Sequence, residues 1–414
     1  SILLNPTSQT QGVSGVGSRL AVLCDLSSIA TFISANYTSP VITSDFVRQA
    51  KALLREVETR YGWMYLTLHK PTGTQLEQAT SRLKSGGSLE GKSEFEIGKI
   101  NYVIWSEVFL CPNCGNEIVF WEAAVDVDAG KVRDSFPCPS CGASYGKSDL
   151  KDALTAIYDP RLQTTIQQIR LQPVMVNYTA GSARYTKKPD SFDMALLEHI
   201  RSSSWASWSP TDRMPEGDEA RRNDSTGLTH VHHFFTERNL RLISALFESG
   251  EEPYLKWLIT GILQRASKQH QIAISRVGGP KAGEGGATAG HRRGTLYVPS
   301  NQVEFHPIRL FEERIEVAKK SFARTSLSKR TAVISTQSAT KLLLHDNSID
   351  YIFTDPPFGG NIMYSELNFI WEAWLRVQTN ALPEAIQNRT QLKTLIEYQD
   401  LMVRCFSEYY RVLK

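Results

Sequence analysis

The stretch "YIFTDPPFGGN", Tyr351 to Asn361, decides how the rest of the chain is read. Three β-formers, Tyr351 to Phe353, run into a threonine and then an acid; two prolines, an aromatic ring and two glycines follow. The β-formers predict a strand with Asp355 just beyond its carboxyl end. In an open parallel sheet, ligands sit beyond the carboxyl ends of the strands. Pro356 and Pro357 fix φ and remove two backbone donors, so carbonyls there are free to face a ligand. Phe358 offers a flat face for stacking. These groups suit a planar ring that bears an exocyclic NH2. The carboxylate and a proline carbonyl each accept one amine hydrogen, which draws the nitrogen out of conjugation and frees its lone pair.

Working outward, "AVIST", "HDNSIDYIFTDPPF", "ELNFIWEAWL" and a helix from about Leu395 alternate strand and helix, the pattern of a parallel α/β sheet. The other end has the same style. "RLAVLCDLSSIATFISANYT" opens with a buried-strand pattern at Leu20–Cys24, Asp25 follows, and Ser27 can cap a helix from about Ser28. Phe46, Ala50, Leu53, Val57 and Tyr61 keep a helical period across 44–62. Between the ends lies a segment built differently. Residues 70–100 are polar and read as a boundary region, residues 160–190 as strands with a basic turn at Lys187–Lys188, and 191–203, 236–249 and 253–269 as helices. Arg276 to Gly294 is glycine-rich and nearly without apolar groups, so it is expected to be a mobile loop. Ile308, Phe311, Ile315, Ala318 and Phe322 mark one more amphipathic helix. The expected organisation is one sheet domain, residues 1–69 and 326–414, interrupted by an α+β insertion at 70–325.

Inside that insertion, Cys111-x2-Cys114 and Cys138-x2-Cys141 form two knuckles, "CPNCG" and "CPSCG". Four thiolates at this spacing predict a tetrahedral structural zinc site in a ribbon at 101–150, with no ligand position left open for water. The glycine after each second cysteine lets the chain turn so that N–H groups point at the sulfurs. Cys24 and Cys405 stand apart, so the cysteines argue for metal ligation in a reducing cytoplasm and against a disulfide framework.

The tetrad Asp355–Phe358 with its flanks, the knuckles, and the segments "NYVIWSEVFLCPNCG", "DRMPEGDEARRND" and "THVHHFF" together resemble the zinc-ribbon-containing site-specific DNA amino-methyltransferases. The resemblance covers nearly the whole chain. It implies a Rossmann-like sheet that binds S-adenosylmethionine, with Asp355, Pro356, Pro357 and Phe358 as the catalytic tetrad. An initial Asp leans towards adenine N6. It further implies Asp25, with Leu26 beside it, at the cofactor ribose, and Ser338 where the cofactor adenine is usually contacted by an acid. The family's F-x-G-x-G-like loop has no counterpart here, because the glycines of "QGVSGVGS" (Gly12, Gly15, Gly17) follow no clear strand. That loop is expected upstream of Ser1, and the last strands of the sheet beyond Lys414. Double-stranded DNA is the implied partner, with other subunits of a restriction or phage-defence complex. A base within a duplex is out of reach, so the target is expected to be flipped out. The alternatives are an RNA amino-methyltransferase, which would use the same amine clamp, and a non-catalytic DNA-binding component.

The 414 residues are 41% hydrophobic and 21% charged, an ordinary globular balance. No apolar run approaches a membrane span, and no basic-then-apolar leader opens the sequence as given. A net charge of +3 is weak, so nucleic acid has to be met by local clusters. Candidates are Arg276, Lys281, Arg292 and Arg293 in the glycine-rich loop, Arg221 and Arg222 in "EARRND", and the group Lys319, Lys320, Arg324, Lys329 and Arg330, whose first two also read as a solvated helix face. "GLTHVHHFF" brings His230, His232 and His233 together. Strand alternation would put His230 and His232 on one face and His233 opposite. Both a metal site and a structural or base-contacting role stay open for them.

Overall fold

A computed structural model describes residues 20–87, 94–277, 288–325, 332–360 and 362–414. Gly12, Gly15, Gly17, Lys281, Lys329, Arg330 and Asn361 lie outside these residues. The described chain divides into two compact units. One comprises residues 20–48, Glu216–Asp218 and residues 317–414; the other comprises Gln49–Pro215 and Glu219–Glu316. The divisions at 48/49 and 316/317 fall within two helices, Thr43–Tyr61 and Pro307–Thr325.

In the first unit, strand Ala21–Asp25 runs parallel to Ala332–Thr336, with Ala21 opposite Ala332 and Asp25 opposite Thr336. Ser27 then caps helix Ser28–Thr38 by accepting the Ala30 N–H at 3.4 Å. The two ends of the sequence are bound to each other by Glu372, which is fully buried. Its carboxylate accepts the Ser27 hydroxyl at 3.1 Å, the Ile29 N–H at 3.4 Å, and the N–H and hydroxyl of Thr379 at 2.8 and 2.5 Å. A buried carboxylate needs such partners, since burial of an unpaired one costs several kcal/mol. Phe46 and Phe322, both buried, meet edge to face with centroids 4.9 Å apart.

Among the described residues, the expected parallel sheet is reduced to that one pair of strands. Tyr351–Phe353 does not join a ladder among the described residues; just upstream, Ile349 bridges in parallel to Leu413. The reason is physical: β-formers make a strand only against a neighbouring strand, and here Tyr351 and Phe353 remain 75% and 60% exposed. The remaining elements are helical: Tyr364–Leu367, Phe369–Leu375 and Leu395–Val412.

The second unit is organised on a nine-stranded antiparallel sheet. Its axis is the 14-residue strand Ile97–Leu110, flanked by Leu171–Ala180 and Asn301–Phe305. Register shifts at Pro173/Met175 and Asn177/Tyr178 bend the flanking strand. The first knuckle is reached by one long strand, and the expected short strands follow at Glu117–Val119, Phe136–Pro137 and Ser144–Tyr145. Helices Ser191–Ser202 and Glu237–Ser249 follow the expected pattern, while 253–269 breaks into Pro253–Thr260 and Leu263–Ala266 at Gly261. The supposed boundary at 70–100 holds a helix, Gly73–Lys84, with a Thr72/Gln75 capping box and Ala79, Thr80 and Leu83 buried. Its sparse apolar positions are hidden by polar neighbours. Of the glycine-rich loop, Thr288–Gly290 is a strand paired with Gln271–Ile272.

Candidate functional site

A cavity of about 570 Å³ opens in the first unit, a volume in the usual range for small-molecule sites. Asp25, Leu26, Ser338, Asp355, Pro356, Pro357 and Phe358 all line it. Asp25 ends its strand and takes the Ser27 N–H on Oδ1 at 2.8 Å. Desolvation by the cavity walls raises its carboxyl above the ordinary value, against the lowering effect of that N–H, although the residue stays accessible. Helix capping falls to Ser27, which leaves Asp25 to the cavity. Ser338 shares a 2.8 Å hydrogen bond with Thr340.

Asp355 is exposed, and among the described residues nothing donates to its carboxylate. Phe358 is 81% exposed, so its ring belongs to no core. Gly359 has φ +77°, a left-handed conformation suited to glycine, which reverses the chain just after the ring. The two proline carbonyls differ: that of Pro357 accepts the Tyr398 hydroxyl at 2.8 Å, which leaves that of Pro356 for a ligand. The acids in the cavity wall are Asp25, Asp355 and Glu384, and no Lys, Arg or His is among its described residues. Glu384 is braced by the N–H of Ser365 at 3.1 Å, its hydroxyl at 2.6 Å and the Gln391 amide at 2.8 Å. No motif marks Glu372, Glu384 or Tyr398 in the sequence. A lone Glu in the apolar string "NFIWEAWL" was the one visible signal.

The four knuckle cysteines converge in the second unit. Cys111 and Cys141 sulfurs lie 3.7 Å apart, and those of Cys114 and Cys138 3.8 Å apart. A disulfide would need about 2.05 Å. Sulfurs about 2.3 Å from one tetrahedral ion are separated by roughly 3.8 Å. These four can therefore hold a metal ion such as zinc. Gly115 and Gly142 take φ +72° and +75°, and their N–H groups close each knuckle on the carbonyls of Cys111 and Cys138 at 2.9 Å. Burial raises the Cys111 thiol, but N–H groups of Cys114 and Asn113 outweigh it and bring it down to about 6. Cys114 goes the other way, up to about 11: the Asn116 N–H lowers it, but desolvation and three crowded sulfurs prevail. Such a set ionises fully only around a cation. Phe109, Ile118, Phe120, Phe136 and Ile169 form the core beneath it, so the ribbon packs on the long strand.

The histidines are arranged differently from the expected alternation. Val231–Phe234 is a 3-10 turn, so His232 and His233 reach the same atom, Oδ2 of Asp159, at 2.7 and 3.0 Å. Asp159, which sequence reading passed over, also accepts the N–H groups of Arg161 and Leu162 on Oδ1. A metal could be held by these three side chains on proximity alone. The tautomer argues otherwise. Nδ1 of His233 accepts N–H groups from Thr229 and His230 at 3.2 and 3.3 Å, so its proton resides on Nε2, the nitrogen a metal would need bare. Burial would raise the Asp159 carboxyl, but the two imidazoles hold it well below the usual range. Burial pushes His233 down to about 4, against the pull of Asp159.

The candidate nucleic-acid cations are split. Arg221 and Arg213 both pair with Asp224, at 3.4 and 3.0 Å, and Arg222 forks onto Glu219. Of "DRMPEGDEARRND", Glu216–Asp218 belong to the first unit and do not line its cavity. Within the first unit, Gly217 lies so close to Glu366 that a Cβ there would sit 1.9 Å from its carboxylate. Arg276, Arg292 and Arg293 are exposed, with the Arg292 guanidinium 4.8 Å over the Tyr297 ring. No helix among the described residues is long and apolar enough to cross a membrane. No family model, curated protein or solved structure matches the chain.

Proposed function

We propose that the chain is an S-adenosylmethionine-dependent amino-methyltransferase that acts on adenine N6 in DNA. The observation that carries this reading is convergence: residues picked from opposite ends of the sequence for a cofactor and for an amine line one cavity. The charge of the walls supports the choice of cofactor. Three carboxylates line the wall with no Lys, Arg or His among the described lining residues, and of Glu384 Lys393 reaches only the backbone carbonyl, at 2.7 Å, so the wall disfavours phosphate-rich ligands and favours a sulfonium. The exposed faces of Tyr351, Phe353, Phe358 and Tyr364 add to the attraction for a cation. Bound there, S-adenosylmethionine supplies an electrophilic methyl group.

The chain's own residues do the rest. Asp25, with Oδ1 fixed by Ser27, offers Oδ2 to ribose hydroxyls, and Ser338 and Leu26 bound the same end. Asp355 and the Pro356 carbonyl accept the two amine hydrogens, which turns the nitrogen lone pair towards attack; as the nitrogen–methyl bond forms and the sulfur–methyl bond breaks, Asp355 takes the surplus amine proton, and a neutral thioether is left. Phe358 stacks on the base, which must leave the duplex to reach it. Arg292 and Arg293 suit phosphate contact because they are exposed, and Arg276 is exposed as well, though not without an interaction of its own; Arg221 and Arg222 are held by Asp224 and Glu219. The four cysteines hold one structural zinc.

Titration calorimetry with S-adenosylmethionine and, separately, with ATP tests the cavity. The sulfonium compound should bind and ATP should not; ATP binding, or binding of neither, overturns the reading. Transfer of labelled methyl to duplex DNA rather than tRNA tests the substrate. Elemental analysis should give one zinc per chain.

A further inference from the structure

We propose that Tyr398 is a positioning residue for methyl transfer: its hydroxyl clamps the turn that carries Phe358 and presents the Pro356 carbonyl. This rests on the reading of the cavity given above. Two consecutive prolines leave the turn without N–H groups at 356 and 357, so it cannot brace itself there. The bracing comes from outside. Tyr398 donates to the Pro357 carbonyl at 2.8 Å, and the Gln387 N–H donates to the Gly359 carbonyl at 3.3 Å. The two bonds flank Phe358, whose ring is 81% exposed and so takes its aim from the backbone beneath it.

Tyr398 itself is well placed to be rigid. It lies in the first turn of helix Leu395–Val412, and that turn is fixed by a capping box: Thr394 accepts from Ile396 N–H at 3.2 Å, and Glu397 accepts the Thr394 N–H at 2.7 Å. The tyrosine is not part of the cavity wall, so it acts through Pro357 and not on a ligand. Gly359, free to pass between conformations, would let the turn reorient if the hydroxyl were lost.

Tyr398→Phe keeps the ring and removes the bond. In the full chain, kcat should fall about tenfold, because small displacements of reacting groups are costly. S-adenosylmethionine affinity should stay within about twofold, the signature of an effect on the reacting geometry alone. Melting temperature should hardly move, and amide exchange at Phe358, Gly359 and Gly360 should quicken. An unchanged kcat overturns the proposal, as does a loss of cofactor affinity and stability in step with kcat. A parent chain that binds no cofactor or methylates no DNA defeats the reading of the cavity instead. Exchange then decides about the clamp: faster exchange in the variant upholds it, and equal exchange removes it.

Discussion

Two places in the chain spell nearly the same thing. "AIYDP" and "IFTDP" each run β-formers into an aspartate and a proline. Asp159 ends the strand Leu154–Asp159, is 6% exposed, and has its carboxylate filled by two imidazoles and two backbone N–H groups. Asp355 follows a segment that joins no ladder, is exposed, and its carboxylate accepts nothing from the described residues. Saturation of the carboxylate separates them. An acid whose lone pairs are all engaged holds structure together, whereas one left open on a cavity has capacity for a ligand.

Substitution of both acids breaks or upholds the contrast most directly. Asp355→Ala should abolish methyl transfer, by about a thousandfold or more, while the melting temperature stays put, because no bond of the fold is lost. Asp159→Ala should do the reverse. It leaves buried imidazole and backbone N–H groups without their acceptor and should cost stability in chemical denaturation, at about 1–3 kcal/mol for each donor left unsatisfied. An Asp355→Ala chain that melts early but still methylates would make "DPPF" a turn, and the comparison would collapse.

A pH series sharpens the same contrast with a smaller effect. His233, which faces Asp159, His232 and Lys268, has a folded value of about 4 against 6.5 unfolded; burial brings His270 to about 4 as well. Both are neutral in the fold, so their stability contribution is present above pH 6.5 and is lost as pH falls towards 4. Between pH 7 and pH 5 each should cost about 2 kcal/mol. The depressed Asp159 adds its loss only below its ordinary value, near pH 4. Denaturation at pH 7, 5 and 4 measures this. A second unit equally stable at pH 5 and 7 would contradict the buried-neutral histidines.

The legibility of these regions followed the range of the forces involved. The knuckles were readable because ligand spacing and the glycine turns are local, and the Ser27 cap was readable for the same reason. The Thr72/Gln75 capping box was equally local, but the polar composition around it obscured the helix it starts. Tyr351–Phe353 shows the opposite case: local propensity predicted a strand, and the missing partner strand decided otherwise. Asp159 with its histidines, and Glu372 with Ser27, are separated by 73 and 345 positions, and no sequence period announces such pairs. The antiparallel order of the main sheet was likewise a matter of long-range pairing around one long strand.

Phe358 gives the finest test, because its effect is the smallest and its two readings differ in sign. A core ring truncated to alanine costs about 3–5 kcal/mol of stability. Phe358 is 81% exposed, so Phe358→Ala should leave the denaturation midpoint within experimental error. Its cost should appear in capture of the base instead. Stacking of a base on an aromatic ring contributes about 1–3 kcal/mol, so affinity for duplex DNA containing a mismatched, easily flipped adenine should weaken by roughly 5- to 150-fold. Cofactor affinity should move less, since Asp25, Leu26 and Ser338 are untouched. Phe358→Tyr keeps the face of the ring and should bind DNA like the parent. Were the alanine variant to bind DNA normally and unfold early, Phe358 would belong beside Asp159 as a structural residue, and the cavity would lose the face against which a base is held.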